Sequence, residues 1–139
     1  MRLFADSSLA SGTIWTEAEG EPYEDKLMVA EVIRNRTRQK YSSDGTVAST
    51  IARRYQFSAL NDDSADNIRL IASLKLDDND PIVKDCLRAW YQATTFNTNL
   101  AKGAVLYYNP QAIPIAPAWV AKSKEVARGK HHIFYIPLI

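Results

Sequence analysis

With 139 residues, 46% hydrophobic and 24% charged, the chain has the size and composition of one soluble globular domain. Its 17 basic and 16 acidic residues leave a net charge of +1, too little to hold a nucleic-acid backbone. No apolar run reaches the roughly 18 residues of a membrane span, and the single cysteine, Cys86, excludes an internal disulfide.

The first ten residues carry one Arg and too few apolar side chains before Asp6, Ser7 and Ser8 for a secretory leader. Asp6 to Ser8 offer N-caps for a first helix over about residues 8 to 19, which buries Leu9, Ile14 and Trp15 and stops at Gly20 and Pro22. Met28, Val29, Val32, Ile33 and Arg36 recur at three- and four-residue steps, so residues 23 to 40 read as a long amphipathic helix. Its opposite edge carries Glu24, Asp25, Glu31, Arg34 and Arg38. Asn35 and Arg36 fall on or beside the apolar face, where a buried Arg requires a structural partner.

Ser42 to Gly45 form a turn cluster, and Thr46 caps a short helix through Val47, Ile51 and Ala52. Tyr55 to Leu60 reads as irregular or extended, and Asn61 to Ser64 cap a helix to about Leu74. Asp80 as N-cap and Pro81 at the first helical position start a helix to about Phe96, burying Ile82, Val83, Cys86, Leu87, Trp90 and Ala93. The β-branched and aromatic runs 104 to 109 and 131 to 136 predict two strands, with a last helix over Ala118 to Arg128 between them. On its solvent face that helix would carry Lys122, Lys124 and Arg128. The expected fold is a single α+β domain over residues 1–139, mostly helical with a small antiparallel sheet.

Most catalytic chemistries lack their residues. The only histidines, His131 and His132, are adjacent and on a strand would face opposite ways, so no metal ion and no cofactor are expected. Cys86 lies on an apolar helix face, no Gly-x-Ser-x-Gly turn exists, and the five glycines form no phosphate loop. Carboxylate chemistry remains. Glu17, beside Trp15 and Ala18 and before the Gly20-Glu21-Pro22 break, suits a general acid held against hydrophobic walls. The same acidic stretch would also suit the N-terminal dipole of the following helix.

Thr13 to Glu24, followed by Val29-Ala30 and Val32 to Arg36, resembles the opening signature of the SleB-type cell-wall hydrolases, which reads E-A-R-G-E-P-x-x-G, an A-V run and then N-R. Further matches follow in order: Gln56-Phe57-Ser58 to Q-F-S, Gly103 to Asn109 to a G-A-x-x-Y strand, Pro117 to Trp119 to P-x-W, and His132 to Tyr135 to H-x-F-Y. Together they span residues 13 to 135. Two positions depart from the pattern, Glu19 for Arg and Asp25 for Gly; the second suggests a loosely constrained start to the long helix.

The resemblance implies a lysozyme-like fold that cleaves peptidoglycan between N-acetylmuramic acid and N-acetylglucosamine. It implies a lytic transglycosylase with Glu17 as the catalytic acid and base. Glu21, Gln56, Ser58, Tyr107, Trp119 and His132 become the candidate substrate-binding residues, with Glu21 and His132 equally open to structural roles. The expected partner is the glycan strand, with no nucleic acid and no membrane insertion. A monomeric phage endolysin, held in the host cytoplasm until a membrane pore releases it, and a virion-associated lysin packed with other virion proteins both fit. The alternatives are a muramidase that uses water, and a glycan-binding or virion structural module without turnover.

Overall fold

The computed structural model describes residues 2–41, 43–52 and 79–138. Helices α1 (Arg2–Ala18), α2 (Tyr23–Arg38), α3 (Val47–Ala52) and α4 (Pro81–Thr95) precede a three-stranded sheet of β1 (Leu106–Tyr108), β2 (Ser123–Arg128) and β3 (Ile133–Pro137). The strand order is β1-β3-β2 and both pairings are antiparallel, so the α+β, mostly helical expectation is met.

Helix α1 begins at Arg2 rather than near residue 8, and Asp6 to Ser8 lie inside it. Short hydroxyl residues tolerate this interior because each bonds its own helix: Thr13 Oγ1 donates to the Leu9 carbonyl and Thr16 Oγ1 to that of Gly12, both at 2.9 Å. With their polarity satisfied, Thr13 and Thr16 pack fully into the helical core beside Ala10, Ile14 and Ala18.

Helix α4 starts as its sequence dictates, with Asp80 Oδ1 accepting from Ile82 N at 2.9 Å and Pro81 in the first turn. Its buried stripe is Cys86, Ala89, Trp90 and Ala93, narrower than predicted: Ile82 is largely exposed, and Val83 and Leu87 only half-buried. Thr46 caps α3 through Ser49 N at 3.1 Å, as its position predicts.

Helix α2 is the axis of the domain. Met28, Val29, Val32 and Ile33 fill the core, but Asp25, Glu31 and Arg34, predicted at the solvent edge, are buried as well. The Glu31 carboxylate accepts from Leu100 N at 3.1 Å and Ala101 N at 2.7 Å; Arg34 Nη1 donates to the Ala93 carbonyl at 2.8 Å. Asn35 Nδ2 donates to the Ala104 carbonyl at 3.0 Å and Arg36 Nε to that of Val105, giving Arg36 the structural partner it requires.

Residues Ala118–Lys122 form a 3-10 turn, and Ser123–Arg128 is a strand rather than the rest of a helix. Lys, Glu, Ala and Arg favour a helix locally, but the Gly129 to His132 turn folds this segment back onto β3, with Gly129 N donating to the His132 carbonyl at 2.9 Å. A register shift between Glu125 and Ala127 bends the strand there. Lys122, Lys124 and Arg128 are solvated, as expected, but along a sheet edge. The predicted extended segment 55–60 and helix to Leu74 lie outside the described residues.

Cys86 is wholly buried and burial pushes its thiol up to about 12. The native thiol should resist a disulfide reagent at pH 8 that labels it rapidly after urea unfolding. Because the unfolded thiol ionises first, stability contributed by the neutral native form is present below pH 9 and declines as pH rises from there; urea titrations at pH 8 and 10 check the sign.

Candidate active site

Glu17 stands on the last turn of α1, half-buried, in an open cleft of about 340 Å³ lined by Thr16, Glu17, Ala18, Glu19, Gly20, Glu21 and His131. From the sheet side, the Tyr107 hydroxyl donates to Glu17 Oε1 at 2.9 Å across 90 residues of sequence. Tyr107 is itself held by His132, edge-on at 5.3 Å between ring centroids, and by the buried Phe134 at 5.6 Å. The carboxyl thus has one oxygen held by a ring that packs against two others.

The turn that follows Glu17 is secured from below. Lys26, buried in α2, donates through Nζ to the carbonyls of Glu19 at 3.1 Å and Glu21 at 2.5 Å, accepting groups at the C-terminal end of α1. Glu21 then faces the sheet, where His131 Nδ1 lies 2.9 Å from Oε1 and 2.7 Å from Oε2.

Asp25 is neither exposed nor loosely held. Its carboxylate is buried and accepts from Lys130 N at 3.1 Å and 2.9 Å. A Cβ on Gly129 would fall 2.1 Å from Asp25 Oδ2, so the turn approaches α2 this closely only because residue 129 has no side chain. The start of α2 is therefore tightly constrained, the reverse of what the departure from Gly suggested.

The histidines converge. Both lie in the turn before β3, where strand alternation does not apply, and both meet Glu21 rather than facing opposite ways. His132 Nδ1 is buried without a hydrogen-bond partner, 3.8 Å from Glu21 Oε1 and 4.0 Å from Asp25 Oδ2. Burial pushes the His132 imidazole below its ordinary range, against the upward pull of the Glu21 and Asp25 carboxylates. Glu21, Asp25 and His132 each place one ligand-type atom within 4.8 Å of the others.

Of the residues singled out in the sequence, Glu17, Glu21, Tyr107 and His132 come together. Trp119 packs elsewhere, against Tyr135 at 5.3 Å and Tyr108 at 5.9 Å, on the other face of β1 from Tyr107. Gln56 and Ser58 lie outside the described residues. Asp25 and His131 join the site without having been singled out for it. Their partners lie 105 and 110 residues away, and no local pattern announces such contacts.

The fold is that of a SleB-type catalytic domain. The catalytic domain of the germination-specific lytic transglycosylase SleB from Bacillus anthracis superposes with a TM-score of 0.69 at 24% identity, covering 94% of this chain and 93% of that one. That of the Bacillus cereus SleB protein gives the same score and identity over 94% and 89%. No curated protein sequence matches the chain. The Cell Wall Hydrolase family model matches residues 20–135, and the chain belongs to that family of cell-wall enzymes. The matched span opens just after Glu17, whose place in the site rests on the geometry.

Tyr107→Phe should leave the fold intact and slow cell-wall cleavage about three- to tenfold, the worth of one neutral hydrogen bond, measured as a drop in kcat at unchanged Tm. Gly129→Ala should destabilise by about 1–3 kcal/mol in urea unfolding through overpacking. Added to Asp25→Gly it should cost much less, since the carboxylate it strikes is then gone.

Proposed function

We propose that the chain is a lytic transglycosylase that cuts peptidoglycan between N-acetylmuramic acid and N-acetylglucosamine, with Glu17 as its one catalytic carboxyl. The observation that carries this reading is the Tyr107 hydroxyl holding Glu17 Oε1 at 2.9 Å on the wall of an open cleft. Protonated Glu17 gives its proton to the glycosidic oxygen, and the C1–O bond breaks to an oxocarbenium-like state. The resulting carboxylate takes the proton of the muramic acid 6-hydroxyl as that oxygen bonds to C1. The product is a 1,6-anhydro ring, no water is consumed, and the acid is regenerated.

An inverting hydrolase would need a second carboxylate to activate water; Glu19 and Glu21 both line the cleft, and of the two Glu21 faces the sheet. Both of its oxygens are engaged by His131 Nδ1, which favours a positioning or substrate-binding role for Glu21 and supports the single-carboxyl reaction. Tyr107 and His132 line the sheet side of the glycan path in this reading. Gln56, Ser58 and Trp119 stay substrate-binding candidates on the resemblance alone, Trp119 from the opposite face of β1 to Tyr107. The proposed setting is a phage endolysin or a virion-associated lysin, and a neighbouring holin gene would mark the first.

Purified protein should clear bacterial sacculi, and Glu17→Gln should lower the rate at least about 100-fold while keeping the fold. Mass spectrometry of the released fragments should find anhydro ends; reducing ends would make the enzyme a muramidase. Binding without any product would make the chain a glycan-binding module.

A further inference from the structure

We propose that Glu21, Asp25 and His132 form a site for one divalent first-row metal ion, Zn²⁺ or Mn²⁺, that clasps the start of α2 to the β2–β3 turn beside the cleft. Three ligand-type atoms from these residues lie within 4.8 Å of one another, in a place where solvent hardly reaches. His132 is only 6% exposed, and its Nδ1 finds no hydrogen-bond donor or acceptor. A buried polar atom without a partner is rare and costly. Here it is aimed between two carboxylates, at 3.8 Å and 4.0 Å, too far for a hydrogen bond to either.

The two His132 distances are those of ligands to a shared ion. Ligand atoms about 2.0–2.2 Å from one metal lie roughly 3–4 Å from each other. The two carboxylates, both largely removed from water, supply negative charge that a dication would neutralise. A nitrogen with two carboxylate oxygens suits Zn²⁺ or Mn²⁺ better than Ca²⁺ or Mg²⁺, which prefer oxygen alone. The surroundings are also those of a metal site. His131 bonds Glu21 and the Lys130 amide bonds Asp25, each orienting a ligand from outside. Gly129 leaves room for Asp25 to reach the position at all. The ion would join residues more than 100 positions apart and hold the sheet against the helices, a structural role separate from the chemistry at Glu17.

Untagged protein, stripped with EDTA and dialysed, is titrated with ZnCl₂ and separately with MnCl₂ by calorimetry, with thermal unfolding in parallel. One ion per chain should bind, with Tm rising by about 5 °C or more at saturation. Asp25→Asn and His132→Gln should each weaken binding at least about tenfold. The proposal is overturned if the wild-type protein binds neither ion, or if both variants, folded by circular dichroism, bind with wild-type affinity. Should a variant not fold, Mn²⁺ added to the wild type decides: selective broadening of the His132 and His131 ring signals in the NMR spectrum supports the site, and its absence refutes it.

Discussion

A row of buried polar side chains on α2 carries the rest of the molecule. Glu31, Arg34, Asn35 and Arg36 occupy two consecutive turns, and each bonds the main chain between the end of α4 and the start of β1. That segment has little regular structure of its own, so its amides and carbonyls need partners from elsewhere. The charges of Glu31 and Arg34 are affordable in the interior only because the backbone dipoles meet them; burial still lowers the Arg34 pKa, with Glu31 opposing. The connection is thereby tied to α2 at several points. Since β1 follows directly, the same bonds set where Tyr107 stands.

The cleft is consequently built by two independent supports. On one side Lys26 gathers the carbonyls of the turn after Glu17; on the other the α2 side chains deliver β1. The Gly129 to His132 turn joins them, through Glu21 with His131 and Asp25 with Lys130. All of these anchors come from α2 or the turn before it. One helix therefore sets the width of the groove in which a glycan strand would lie.

What could be read in the chain was local or periodic. Asp80-Pro81 fixes a helix start by its own chemistry, and the Met28, Val29, Val32 and Ile33 spacing marks a buried stripe. Glu17 stood out as a candidate because thiol and serine routes lacked residues, because the two histidines read as diverging, and because its neighbours resemble a known signature. Three features were hidden. Ser123–Arg128 carries helix formers and becomes a strand only because β3 lies alongside it. Asp25, Glu31 and Arg34 look like a solvated edge until the backbone they serve, some 60 to 105 residues on, is in place. His131 and His132 would diverge on a strand, but they precede it, and a turn can point neighbours at the same target.

The strand order β1-β3-β2 also bears on how the molecule assembles. The central strand is the last of the three in sequence, and among the described residues it is the one partner of each of the other two. Helices α1 and α2 are consecutive and can meet early, whereas the sheet closes contacts of long sequence separation and is expected to form late. Glu17 would thus sit on a largely formed helical half well before Tyr107 and the histidines reach it. A helical core formed first would leave the groove to be completed by the last segment of the chain to find its place.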